Sequence, residues 1–134
     1  MEDYTNLDDL SLYLSFIKSV EINYSERNLK IFLAQPSNIN SIEKPLKYTE
    51  SILTVKDLSK TDWQQNLIEK EVPEFYRSTI IQQHPNYSLE KGEVIYFFGV
   101  DWGSEYYHWH FVGKSHQIIP LSPPKNLVDL TWVV

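Results

Sequence analysis

Two kinds of hydrophobic spacing divide the chain. Over residues 7–20, Leu7, Leu10, Leu14 and Ile17 recur three or four apart, and Tyr13, Phe16 and Val20 widen the stripe. That spacing lines apolar groups on one face of an α-helix. Thr5 or Asn6 supplies a cap, Asp8 and Asp9 fill the first turn and Lys18 lies near the far end, as the helix dipole favours. A second helical region opens at Thr61, where Thr61 and Gln64 form a capping box and Trp63 and Leu67 share a side. Val72-Pro73 interrupts it, because proline suits a first turn and breaks a helix interior. Two helices, over 62–71 and 73–83, or one kinked helix, are therefore expected. Phe75, Tyr76, Thr79, Ile80 and Gln83 mark the second, and His84-Pro85 ends it.

Elsewhere the period is two. Ile22 and Tyr24 alternate with polar neighbours, as do Leu29, Ile31 and Leu33, and the SERN stretch between them reads as a hairpin turn. Residues 36–45 are punctuated as a loop, and SILTV at 51–55 is strand-like. Glu93 to Val100 is an apolar run too short for a full helix and is assigned to a central strand. Tyr106 to Val112 forms the partner strand after the Asp101–Ser104 turn, His116 to Leu121 the next, and Leu127 to Val134 a last strand or a tail that packs late. The sequence shows no internal repeat. The expected fold is α+β: a single domain, 1–134, with an antiparallel β-sheet made of the hairpin and the C-terminal meander, and about three helices packed on it.

Composition narrows the function classes. The chain has 134 residues, enough for one core. It has a formal net charge of −6, which repels phosphate backbones and disfavours direct nucleic-acid binding. It contains no cysteine, so disulfides, thiolate nucleophiles and cysteine zinc sites are excluded. The acidic start lacks the basic and apolar pattern of a signal peptide, and no apolar run reaches membrane-spanning length. A cytoplasmic protein with no membrane role is the expectation.

The chemistry concentrates in DWGSEYYHWHFVG, residues 101–113. On a strand, Tyr106, His108 and His110 share one face and Tyr107, Trp109 and Phe111 the other. The second set is assigned to the core. A His-x-His pair can hold a metal, but a third ligand is not evident, so no metal and no cofactor are expected. Nine tyrosines and four tryptophans are the residue types that interfaces favour. Asp101 and Glu105 surround the rings with negative charge, which suits a basic partner. The reading is therefore a small acidic protein-binding or inhibitor protein, of the kind that immunity proteins, antitoxins and phage-encoded inhibitors represent. Its expected interface is Asp101, Trp102, Glu105, Tyr106, His108 and His110. The alternative is a small hydrolase or metal-binding enzyme using His108 and His110 with Tyr106 as catalytic groups. A homodimer with the aromatic strand at its seam is a third arrangement.

Overall fold

A computed structural model describes residues 8–36, 47–63, 72–103 and 105–130. Among them the chain forms antiparallel strands and a single short 3-10 turn, Leu127–Asp129. The strands are β1 (Asp8–Asp9), β2 (Phe16–Asn23), β3 (Asn28–Pro36), β4 (Lys47–Lys56), β5 (Lys60–Asp62), β6 (Glu74–Ile81), β7 (Val94–Trp102), β8 (Glu105–Gly113), β9 (Ser115–Pro120) and β10 (Lys125–Asn126).

The α+β expectation is thus corrected: this is a β protein. The first predicted helix is an irregular segment leading into β2. Ser11 and Leu14 take left-handed backbone angles (φ 61° and 64°), and a β-bulge falls between Ile17 and Ser19. Each interruption resets the two-residue alternation. The inward positions are consequently Leu10, Leu12, Ile17, Val20 and Ile22, and some of their spacings imitate a helix. The same device explains residues 73–83. A bulge between Phe75 and Arg77 sends Phe75, Ser78 and Ile80 out of solvent, three and two apart, in a strand rich in β-branched and aromatic residues. Of the helix expected at 62–71, Asp62 ends β5, and 64–71 lie outside the described residues. The last predicted strand begins instead as the 3-10 turn, and residues 131–134 also lie outside.

The β2–β3 hairpin and the β7–β8 pair are present. The expected C-terminal meander is not: β9 does not fold back on β8 and pairs with β4 instead. Asn23 Oδ1 accepts hydrogen bonds from Glu26 N–H (3.0 Å) and the Ser25 hydroxyl (2.9 Å), which shapes the β2–β3 turn. The strands are hydrogen-bonded in the order β10-β4-β3-β2-β6-β7-β8-β5, with β9 on β4 and β1 on β6.

That order closes on itself. Ser115 stands opposite Lys56 and Val112 opposite Lys60. The β4–β5 and β8–β9 segments therefore run side by side as two long, bent antiparallel strands, out of step by one residue at the bend. Lys114 N–H donates to Lys56 O (3.0 Å) and Ser59 N–H to Val112 O (2.8 Å) across this seam. On the far side β2 meets β6 at Phe16 and Glu74, with Ile17 N–H donating to Pro73 O and Phe75 N–H to Ser15 O (2.8 and 2.9 Å). The result is a six-stranded barrel: β2, β3, β4–β5, β8–β9, β7, β6 and back to β2. Closure removes most sheet edges.

Every barrel strand sends side chains into one interior cluster. Trp109, Phe75, Phe98 and Phe111 fill it on one side, and Leu29, Ile31, Leu33 and Leu53 on the other. Two smaller clusters lie outside the barrel wall: Ile81, Ile95 and Val112 under Tyr87 and Leu89, and Ala34 and Tyr48 with Leu130 and Phe16. No helix among the described residues is long and apolar enough to cross a membrane.

Candidate binding face

The outer surface of β6, β7 and β8 is where His108 and His110 meet partners from other strands. Ladder register arranges them in rows. Thr79, Phe97, His110 and Asp62 lie across four adjacent strands. The next row is Arg77, Gly99 and His108, and the one after it Glu74, Asp101 and Tyr106.

Each row has a chemical consequence. Phe97 lies against both imidazoles, with ring centroids 5.3 Å from His108 and 4.9 Å from His110. The Arg77 guanidinium covers the Phe97 ring at 5.0 Å, a cation–π contact. Gly99 leaves room for Tyr76, whose ring atoms stand 2.6 Å from where a Cβ at 99 would be. The Tyr76 hydroxyl is 3.1 Å from His108 Nε2, and its ring meets Tyr106 edge-on at 5.3 Å. Tyr106 projects beyond this stack and is 68% exposed.

At the other end of the face, the segment after β6 folds back. His84 and Tyr87 form an isolated β-bridge and bring their rings 5.6 Å from His110. The His110 side chain is only 15% exposed, and Asp62 Oδ2 lies 3.7 Å from its Nδ1, too far for a hydrogen bond. Neither ring nitrogen has a hydrogen-bond partner. Burial therefore lowers the His110 pKa below the ordinary histidine value; Asp62 opposes that shift, and His84 and His108 add to it.

The electrostatics of the third row run the other way. Glu74 and Asp101 face each other across the ladder. Among the described residues no lysine or arginine lies within ion-pair distance of either. Burial, and then the neighbouring Asp101 charge, hold the Glu74 carboxyl above its usual range.

Of the six sequence-predicted interface residues, four share this face: Asp101, Tyr106, His108 and His110. Trp102 and Glu105 pair with each other at the strand ends. The Trp102 ring packs against the interior cluster, so it serves the end of the barrel, while Glu105 is exposed. Tyr107, Trp109 and Phe111 do point to the interior side, Trp109 and Phe111 fully buried and Tyr107 partly so. The sequence reading missed Tyr76, Arg77, His84, Tyr87, Phe97 and Asp62 as members. One signal was available: a glycine inside an apolar strand marks a close approach, and Gly99 is where Tyr76 crosses.

Among the described residues no three His, Asp or Glu side chains converge to hold a metal ion. The class defined by these features is a closed six-stranded antiparallel barrel with a filled interior and an aromatic, histidine-bearing outer face. No family model, curated protein or solved structure matches the chain.

Proposed function

We propose that this chain is a non-catalytic binding protein of the inhibitor type, acting in the cytoplasm, that grips a protein with a basic surface through the outer face of β6–β8. The observation that carries this reading is the Glu74–Asp101 pair. Among the described residues the two carboxylates stand together without a cation, beside the exposed Tyr106 ring, which is backed by Tyr76. A lysine or arginine from a partner relieves their mutual repulsion and stacks on tyrosine at the same time. Tyr76, itself tied to His108, backs the Tyr106 ring edge-on, so less side-chain freedom is lost on binding. The net charge of −6 steers a basic partner toward the chain.

The test uses a partner captured from the native host on wild-type protein and titrated calorimetrically. Tyr106→Ala and Asp101→Lys are expected to leave circular dichroism and melting nearly unchanged, and to weaken binding by about 1–3 kcal/mol each. The Asp101→Lys effect is expected to shrink as salt rises. Wild-type affinity in both variants would place the contact elsewhere and remove the basis of the proposal.

A further inference from the structure

Among the described residues, β9 is a six-residue strand that closure of the barrel leaves paired on one edge. β9 pairs with β4 alone, and five of its six residues are exposed. Its register identifies which groups are unpaired. Leu121 N–H donates to Glu50 O (2.7 Å), which continues the ladder in which Ser115, Gln117 and Ile119 face Lys56, Thr54 and Ile52. In an antiparallel ladder the residues between these turn their N–H and C=O groups the other way. His116 and Ile118 therefore present both groups to the open side, and Pro120 presents its nitrogen there, the orientation proline tolerates on an edge.

Natural edges are blunted by charge, proline or a bulge. Here Lys114 and Pro120 bracket the strand, and nothing charged lies between them: residues 115–124 contain no Asp, Glu, Lys or Arg. The β4 stretch beneath, Ser51 to Lys56, carries one charge, that of Lys56. Next to it Glu50 is neutralised by Lys125 at 3.5 Å. On a chain of net charge −6, this is a surface that two copies can bring together without setting carboxylate against carboxylate.

We infer that β9 is a self-association edge and that its occupant is β9 of a second copy, paired antiparallel about a two-fold axis at Gln117. That axis sets His116 against Ile118 of the partner subunit, and Ile118 against the partner's His116. The open amides and carbonyls of both pairs then form four hydrogen bonds. Ser115 stands opposite the partner's Ile119, so a half-exposed Ile119 gains cover. Lys114 meets the partner's Pro120, and no two like charges face each other. An interface between copies with one continuous self-complementary strand is the isologous arrangement that two-fold symmetry requires. The inference goes beyond the partner-binding face on β6–β8 and does not depend on it.

Sedimentation velocity from micromolar to millimolar protein is the test. Wild type is expected to show a concentration-dependent monomer–dimer equilibrium, with slowed amide exchange at His116 and Ile118 in the dimer. His116→Pro removes one unpaired donor per copy while leaving the β4 ladder intact, and is expected to weaken dimerisation about tenfold or more. His116→Ala keeps the donor and loses the imidazole, which meets the Tyr96 hydroxyl at 3.2 Å and faces the partner's Ile118, so it is expected to dimerise much more nearly like wild type than His116→Pro. Gln117→Lys places like charges at the axis, and its weaker dimer is expected to recover with salt; this variant carries the test if His116→Pro fails to fold. A monomer at every concentration, an equal dimer in His116→Pro and Gln117→Lys, or protection of His116 and Ile118 already present in the monomer would each overturn the inference.

Discussion

His110 illustrates how much a single side chain's meaning depends on what folds over it. In sequence it is half of a His-x-His pair. In the barrel it lies under His84 and Tyr87, against Phe97, with both ring nitrogens unpartnered. Burial holds its pKa below the ordinary 6.5, the nearby charges of His84 and His108 push the same way, and only Asp62 opposes. The sign of the pH dependence follows. As pH falls through 6.5 the unfolded chain takes up the proton first, so stability drops, and the drop levels off below the folded-state pKa. Denaturant midpoints measured between about pH 8 and pH 5 are expected to record that loss. His110→Phe is expected to flatten it, and Asp62→Asn to deepen it. An unchanged profile in His110→Phe would assign the loss to another group.

Among the elements, the seam between β4–β5 and β8–β9 decides whether the sheet is open or closed. Two features let the long strands bend together there. Asp57 takes a left-handed angle (φ 57°), and Gly113 lies where a Cβ would fall 2.6 Å from Val55 Cγ1 and 2.9 Å from Lys56 O. The second contact is with backbone, which cannot swing aside. Gly113→Ala is accordingly expected to cost about 1–3 kcal/mol in a denaturant melt. A neutral result would mean the two strands separate at this point. Next to the seam, Glu93 accepts hydrogen bonds from the Ser59 hydroxyl (2.7 Å) and Glu90 N–H (2.8 Å). These bonds, the Ser59 one first, lower its pKa and tie the bend at 57–59 to the turn before β7. Near the start of β9, His116 Nδ1 meets the hydroxyl of Tyr96 at 3.2 Å, and burial pushes that tyrosine's pKa up to about 12.

At the scale of the molecule, the barrel is two similar halves. β2, β3 and β4–β5 form one three-stranded meander, and β6, β7 and β8–β9 the other. Each first strand carries a bulge at the same place, after its second paired residue. The first strands meet antiparallel on one side of the barrel, and the last strands on the other. The interiors differ in kind: Ile17, Leu29, Ile31, Leu33 and Leu53 in one half, Phe75, Tyr96, Phe98, Trp109 and Phe111 in the other. Large rings on one wall and branched aliphatics on the opposite wall fill one space, which is why the two halves share no recognisable sequence. Trp109 stands in the middle of the aromatic wall, 1% exposed, with Trp63 at 5.4 Å and Phe75 at 6.4 Å. Trp109→Ala is expected to cost about 3–5 kcal/mol, and to do so in one cooperative step, with fluorescence and far-UV dichroism transitions coinciding. A shift below about 1 kcal/mol, or transitions that part company, would show that the halves do not share a core.

The sequence by itself determined the β2–β3 hairpin, the β7–β8 pair and the sidedness of β8, because uninterrupted strands alternate strictly and a buried face forces the register. That is why Trp109 and Phe111 were legible as core, and His108, His110 and Tyr106 as one outward row. The sequence did not show that β9 would pair with β4 rather than β8. It misdirected at β2 and β6, where a bulge in each strand and two left-handed residues before β2 turned a period of two into spacings of three and four. Tertiary structure alone decided the rest. Tyr76, Phe97, His84 and Asp62 reach the histidines from separate strands or from a folded-back segment, and no local pattern encodes which strands become neighbours. Closure depends on two bent strands meeting with a one-residue offset, a property of the assembled ladder. The bend that closes the barrel also carries β9 past the end of β7, so that among the described residues β9 pairs on one edge only.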